Sequence, residues 1–201
     1  MRFAAASFRP TFGRVLSVVI AAIALGGLVG FVVGGDLSGL LRYGWGLLLL
    51  GTGAFALFWF PRLDVAEHEV TVRNIFSTVH VPWPAIERVD TKFALTLYTP
   101  LGRIAAWASP APSRYGSQVS RTSDARLAAN AAGTNPRPGD LLETTSGAAA
   151  FVIRRHLDDL REGGHLNNPV IEGGALRRDI HWPTIVVLGG LLVATVLGYL
   201  L

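Results

Sequence analysis

The sequence predicts an α+β membrane protein: three transmembrane helices and a small antiparallel sheet domain closed by one amphipathic helix. Three observations carry this. Half of the 201 residues are hydrophobic and only 16% are charged, whereas ordinary soluble domains carry about a quarter. Three long runs hold no charged side chain at all. Between the second and the third, the pattern changes to short alternating runs, the period of strands with one buried face. Cysteine is absent, which excludes disulfides and thiolate metal sites. The formal charge is +4, but the basic residues are not gathered on one segment, so no nucleic-acid partner is expected.

The first run, VLSVVIAAIALGGLVGFVV from Val15, has Ser17 as its only polar side chain; with Gly34 it defines a span over 15–34. Its length suffices for a hydrocarbon core of roughly 30 Å. A cleaved signal peptide would also place basic residues before an apolar stretch, but this run is long for one and no A-x-A site follows it. A signal-anchor helix is the preferred reading. The second span is 43–60 and the third 182–201, with a tail before the first. Arg2, Arg9 and Arg14 precede the first span, Arg62 follows the second, and Arg177 and Arg178 precede the third. The excess of positive charge on the cytoplasmic side puts the N-terminus and the middle segment in the cytoplasm and the C-terminus outside, in a multi-pass protein of the cell membrane. Tyr43, Trp45, Trp59 and Trp182 lie near span ends, where aromatic rings sit at the lipid interface. Small residues recur at every fourth position, at Gly26, Gly30 and Gly34 and again at Gly190, Ala194 and Gly198. That spacing lets helices approach closely in lipid, either within one chain or between copies in a homo-oligomer.

The domain is expected over 61–163. Val70 and Val72 share one strand face, and Val79, Val81 and Trp83 share the next. Asn74 suits the turn between them, because Asn tolerates left-handed backbone. Pro82 and Pro84 lack N–H groups, so the ladder must stop or reach an edge there. Trp83, held between them, can lay its ring on the core while its indole N–H finds a partner. Ile86 and Val89 begin another short strand; Phe93, Leu95 and Leu97 alternate most cleanly, and Thr99-Pro100-Leu101-Gly102 reads as a type I turn into a returning strand over 103–108. At least five antiparallel strands result.

The stretch 109–144 is rich in Ser, Ala, Pro and Gly without lasting period, and reads as a disordered insertion. Order returns over 145–162, where Ala149, Val152, Ile153, His156, Leu157 and Leu160 fall on one helical stripe and Arg154, Arg155, Asp158 and Asp159 face away. Thr145 or Ser146 can cap its start and Gly163-Gly164 end it. Residues 164–181 read as a linker to the third span.

The run Val81-Pro82-Trp83, followed by Ile86 and Val89, resembles the strand-break signature of bacterial pleckstrin-homology-like (PH) domains; Arg73-Asn74 and Gly102-Arg103 fit the same pattern. The resemblance covers roughly a third of the chain, about 61–109 and the helix, and its motifs are short. It implies a PH-like, partly open antiparallel β barrel capped by a C-terminal helix, used as an interaction or assembly module, with no catalytic residues to carry over.

The residues themselves point to no reaction. The five histidines include no H-x-x-x-H or H-E-x-x-H pair, and no phosphate-binding glycine loop or nucleophile elbow is present. No metal, cofactor or catalytic residue is expected. The turn 73–77 offers one arginine where phosphoinositide-binding relatives carry a basic cluster, so tight phosphoinositide binding is not expected either. Ile75 and Phe76 at the hairpin tip either pack in the barrel or touch a bilayer or partner. The residues singled out for structure or interaction are therefore Pro82, Trp83, Ile86, Val89, Ile75 and Phe76. The reading they support is a non-enzymatic integral membrane protein that presents a cytoplasmic docking or assembly module to an unidentified membrane protein, as an accessory or scaffold subunit. Its alternatives are a lipid-sensing domain, with the 109–144 stretch as one candidate for lipid contact, or a subunit of a membrane enzyme or transporter complex. The absence of ionisable residues within the spans counts against independent transport.

Overall fold

The computed structural model describes residues 5–9, 11–110, 144–164, 166 and 176–200. It divides into two compact units, one of Met1–Arg9 with Arg62–Asp179 and one of Pro10–Pro61 with Ile180–Leu201.

In the first unit the strands are β1 (Ala6–Phe8), β2 (Arg62–Val65), β3 (Glu69–Arg73), β4 (Ser77–Pro82), β5 (Arg88–Asp90), β6 (Ala94–Thr99), β7 (Gly102–Pro110) and β8 (Arg177–Ile180). They form one sheet in the order β1-β2-β3-β4-β8 and another in the order β5-β6-β7. Register follows the apolar alternation. Val70 pairs with Val81 and Val72 with Val79, so each pair turns one buried face inward. Leu95 and Leu97 do the same on β6, and both are fully buried. Phe93 lies in the turn before β6, not on its buried face, and is 80% exposed. The β6–β7 turn falls where the sequence puts it, and Gly102 takes φ 123°, a backbone that L side chains rarely adopt. A helix over Thr145–Glu162 closes the core with Ala149, Ile153 and Leu157, while Val152 and Leu160 pack at its margin. Its cap is Thr144 rather than Thr145 or Ser146: the Thr144 hydroxyl accepts the Gly147 N–H at 3.0 Å. Gly164, at φ 72°, follows its end.

Two stretches with no strand assigned from sequence pair into the sheet. β1 comes from the N-terminal tail, with Phe8 opposite Leu63. β8 comes from the expected 164–181 linker and lies beside β4. Neither has an alternating run long enough to announce a strand; each is recruited by an open sheet edge. Of the expected 109–144 insertion, Ser109 and Pro110 finish β7 and Thr144 caps the helix; 111–143 lies outside the described residues. Asn74 also differs from expectation, because no described residue other than glycine has a positive φ.

The second unit holds three apolar helices, α1 (Thr11–Val33), α2 (Leu37–Trp59) and, after the domain helix α3 (Thr145–Glu162), α4 (Trp182–Leu200). Each is long and apolar enough to cross a membrane. α2 starts well before the expected 43, because Asp36 caps it by accepting the Gly39 N–H at 2.8 Å. Hydropathy marks the part fit for lipid, whereas the cap sets where the helix begins. Arg42 thus lies inside α2, and Gly34 to Asp36 alone connect α1 with α2. The two form an antiparallel hairpin: a Cβ on Gly51 would meet Ala24, and one on Gly27 would meet Leu47. α4 lies along α2, where a Cβ on Gly198 would stand 2.9 Å from the Arg42 carbonyl oxygen. Among the described residues, an added Cβ at Gly26, Gly30 or Gly190 would meet nothing within 4 Å. Of the small residues at fourfold spacing, Gly198 therefore serves helix contact within the chain. An apolar cleft of about 560 Å³ opens among the three helices, lined by residues such as Leu25, Leu47, Phe55 and Val187.

Candidate functional site

The corner Pro82-Trp83-Pro84 is built as its residue types require. Pro82 is extended (φ −66°, ψ 148°) and ends β4; a single 3-10 turn, Trp83–Ala85, follows with Pro84 near its start. The Trp83 ring is 3% exposed. Its indole N–H donates to the Ala66 carbonyl at 3.2 Å, and its ring meets His156 of α3 edge-on at 4.5 Å. One side chain thus ties the β2–β3 turn, the end of β4 and the closing helix. Ile86 and Val89 are buried beside it, and Pro82 is half-buried. These residues hold the corner together from inside. At the β3–β4 tip the two candidates part: Ile75 is buried, whereas Phe76 is 46% exposed.

Asn74 does more than turn the chain. Its Nδ2 donates to the Ala105 carbonyl at 2.9 Å, and its Oδ1 accepts the Trp107 N–H at 3.0 Å. The side-chain amide imitates a strand residue and stitches the β3–β4 hairpin to β7, across the break between the two sheets. Trp107 itself is 51% exposed.

His80 on β4 stands between two carboxylates. Its Nδ1 lies 2.7 Å from Glu69 Oε1 on β3 and its Nε2 3.6 Å from Asp179 Oδ2 on β8. The hydrogen bond from His80 holds the Glu69 carboxyl below the usual glutamate range, against a smaller opposing effect of burial; a further bond from Thr71 works in the same direction. Among the described residues, no group of three or more His, Asp or Glu is placed to hold a metal ion.

A second polar feature lies where the three-stranded sheet meets α3. A cleft of about 240 Å³ is lined by Glu87, Arg88 and Val89 on the strand side and by Arg154, Asp158 and Arg161 on the helix side. Arg154 does not face away, as helical periodicity suggests; its Nη2 donates to the Val89 carbonyl at 3.2 Å. A long side chain at the edge of an apolar stripe can swing across to a neighbouring strand, which periodicity alone does not reveal. Arg88 lies over the Tyr98 ring at 4.1 Å, and Arg161 pairs with Asp158 at 3.3 Å.

The Glu69–His80 pair was within reach of sequence reading, since a hairpin turning at 74–76 brings both to its far end. The Asn74 and Arg154 bonds were not, because their partners lie 31 and 65 residues away. Residues 60–158 match the family model described as bacterial PH domain. No curated protein and no solved structure matches the chain. The matched residues contain β2 to β7 and most of α3, while β1 and β8 are supplied from outside them. Residues 60–158, with their Trp83 corner and closing helix, are thus a bacterial PH domain.

Proposed function

We propose that the chain is a non-enzymatic integral membrane protein that presents its PH domain on the cytoplasmic side as a docking module for a membrane-protein partner, in an accessory or scaffold role. The observation that supports this best is connectivity. β1 leads into α1 through Arg9-Pro10, α2 leads into β2 through Phe60-Pro61, and β8 leads into α4 through His181. Three strands of one sheet are thereby joined to three apolar helices by very short connectors. Such tethering raises the effective concentration of the domain for partners in the same bilayer. The arginines before α1 and α4 and after α2 support the N-terminus-inside, C-terminus-outside orientation. Self-association belongs to the same reading, since Gly26 and Gly30 present a face that nothing among the described residues fills.

Crosslinking in intact membranes, gentle extraction and mass spectrometry test this, with a control lacking residues 62–178. A partner recovered from the full chain and lost from the control is the expected result. Self-crosslinks alone would assign a homo-oligomeric scaffold, and recovery of neither would overturn the docking reading. A lipid-sensing reading draws on one observation, the exposed Phe76 and Phe93 with Lys92 standing 5.1 Å over the Phe93 ring. It predicts that a Trp placed at Phe76 is quenched by brominated lipid only in anionic bilayers and at low salt.

A further inference from the structure

The apolar cleft of about 560 Å³ lies wholly within the helical unit. α1 and α4 each pack on α2, so the cleft runs between the two with α2 as its floor. On α2 its lining extends from Leu47 to Phe60, about 20 Å along a helix axis. Spread over about that length, 560 Å³ amounts to a channel of about 28 Å² in section. A helix about 10 Å across needs roughly 80 Å², so a neighbouring span cannot enter it. A hydrocarbon chain can. An apolar cavity of about 150 Å³ takes the six carbons of benzene, and at about 25 Å³ per carbon this cleft has room for roughly twenty. Of its lining side chains only Thr52 and Thr184 are polar, and the Thr52 hydroxyl donates to the Leu48 carbonyl at 2.6 Å.

One end of the cleft is charged. Phe60 lines it there, level with the first turns of α1, where a Cβ on Gly13 would meet the Phe58 ring. Arg14 stands beside Gly13, on the same helical face as the lining residues Ala21 and Leu28, which follow at steps of seven. Its guanidinium lies 5.2 Å over the Trp59 ring. Its Nε finds no hydrogen-bond partner among the described residues, and the side chain is only half-buried, so the group stays within reach. The only acidic side chain in 10–61 and 180–201 is Asp36, which caps α2 at the opposite end of the hairpin. No carboxylate of this unit therefore offsets Arg14. An oriented guanidinium matches a phosphate, whereas the ammonium of a zwitterionic headgroup would find no carboxylate in this unit to receive it.

We propose that the cleft holds one acyl chain of an anionic phospholipid whose phosphate rests on Arg14. This rests on the membrane-spanning part of the proposed function and adds a resident ligand to it.

The test uses the full chain, extracted in mild detergent and delipidated. It is titrated with phosphatidylglycerol or phosphatidylcholine carrying the same palmitoyl and oleoyl chains, and adducts are counted by native mass spectrometry. One tightly held phosphatidylglycerol is expected, at least tenfold stronger than phosphatidylcholine and than dihexanoyl phosphatidylglycerol. Arg14→Gln should bring phosphatidylglycerol down to the level of phosphatidylcholine. Val187→Trp, at an exposed position of the cleft wall, should fill the space and weaken both lipids at least tenfold, with circular dichroism unchanged. Three results would overturn the proposal: no discrete adduct, equal retention of the two headgroups, or retention indifferent to either variant. A lipid-free dimer that Val187→Trp dissociates would assign the cleft to a second copy instead. Carbonate extraction of the cell membranes separates the two levels of the reading. A chain released into the wash overturns the membrane-spanning reading itself, and one that stays in the pellet but binds no lipid overturns the lipid site alone.

Discussion

The two units treat apolar side chains in opposite ways. In the PH domain Leu63, Val70, Val81, Leu95 and Ile153 are fully buried by other parts of the same chain. In α1, α2 and α4 only 11%, 17% and 6% of the most apolar stretch is buried, and residues such as Val18, Ile23 and Leu192 stay exposed. The domain therefore draws its stability from apolar surface hidden against itself, about 25 cal/mol for each Å² removed from water. The helices leave theirs exposed, and each is long and apolar enough to cross a membrane. Gly51 and Gly198 let the helix backbones come close, as expected where packing, not burial from water, holds helices together.

The sharpest way to break this contrast is to make like truncations in both units. Trp83→Ala removes a buried ring and the anchor of three segments, and should cost about 3–5 kcal/mol. Leu192→Ala, at an exposed position of α4, should stay within about 0.5 kcal/mol. Denaturant midpoints of the full chain in micelles measure both, and equal losses would erase the distinction. Within the helices, Gly198→Leu forces a side chain against the α2 backbone and should cost about 1–3 kcal/mol by overpacking, whereas Gly26→Leu should be tolerated. The natural chain has no cysteine, so a Gly46→Cys/Thr195→Cys pair reports the contact cleanly; a Cβ on Gly46 would lie 3.5 Å from Thr195 Cγ2. Oxidation should close that pair in the parent and in Gly26→Leu, and fail in Gly198→Leu.

Asn74→Ala leaves the Ala105 carbonyl and the Trp107 N–H without their side-chain partner. The expected cost is about 1–3 kcal/mol, read as faster hydrogen exchange in β7. Asn74→Asp, which keeps the acceptor and loses the donor, should fall between the two. Unchanged exchange in Asn74→Ala would show that the sheets hold together without the stitch.

The smallest effect concerns pH. The His80 bond depresses the folded-state pKa of Glu69. The stability it contributes is therefore present above the ordinary glutamate value of about 4.3, and is lost as pH falls through the lower folded value. For a partly exposed pair it amounts to less than about 1 kcal/mol. Glu69→Gln should flatten this part of the acid limb of the denaturation profile and leave the neutral region nearly unchanged. An identical acid limb in the variant would show that the pair contributes nothing.

What was legible in the sequence was what depends on neighbours along the chain. Uninterrupted apolar length marks the three helices, since lipid asks for little else. Alternation at Val70–Val72 and Leu95–Leu97, the Pro82-Trp83-Pro84 break and the stripe Ala149-Ile153-Leu157 mark the elements around the corner, because burial of one face imposes a local period. Long-range pairing has no such trace. Four residues, Arg177–Ile180, become β8 because β4 offers an edge, and Ala6–Phe8 become β1 because β2 does. Asn74 reads as a turn former, yet its side-chain bonds go to β7; Arg154 reads as a solvated helix residue, yet reaches the Val89 carbonyl. A hydrogen bond needs only that donor and acceptor meet in space. The elements could therefore be found in the sequence, whereas the stitched corner, the covered sheet edges and the arginine-lined cleft came into being only with the tertiary fold.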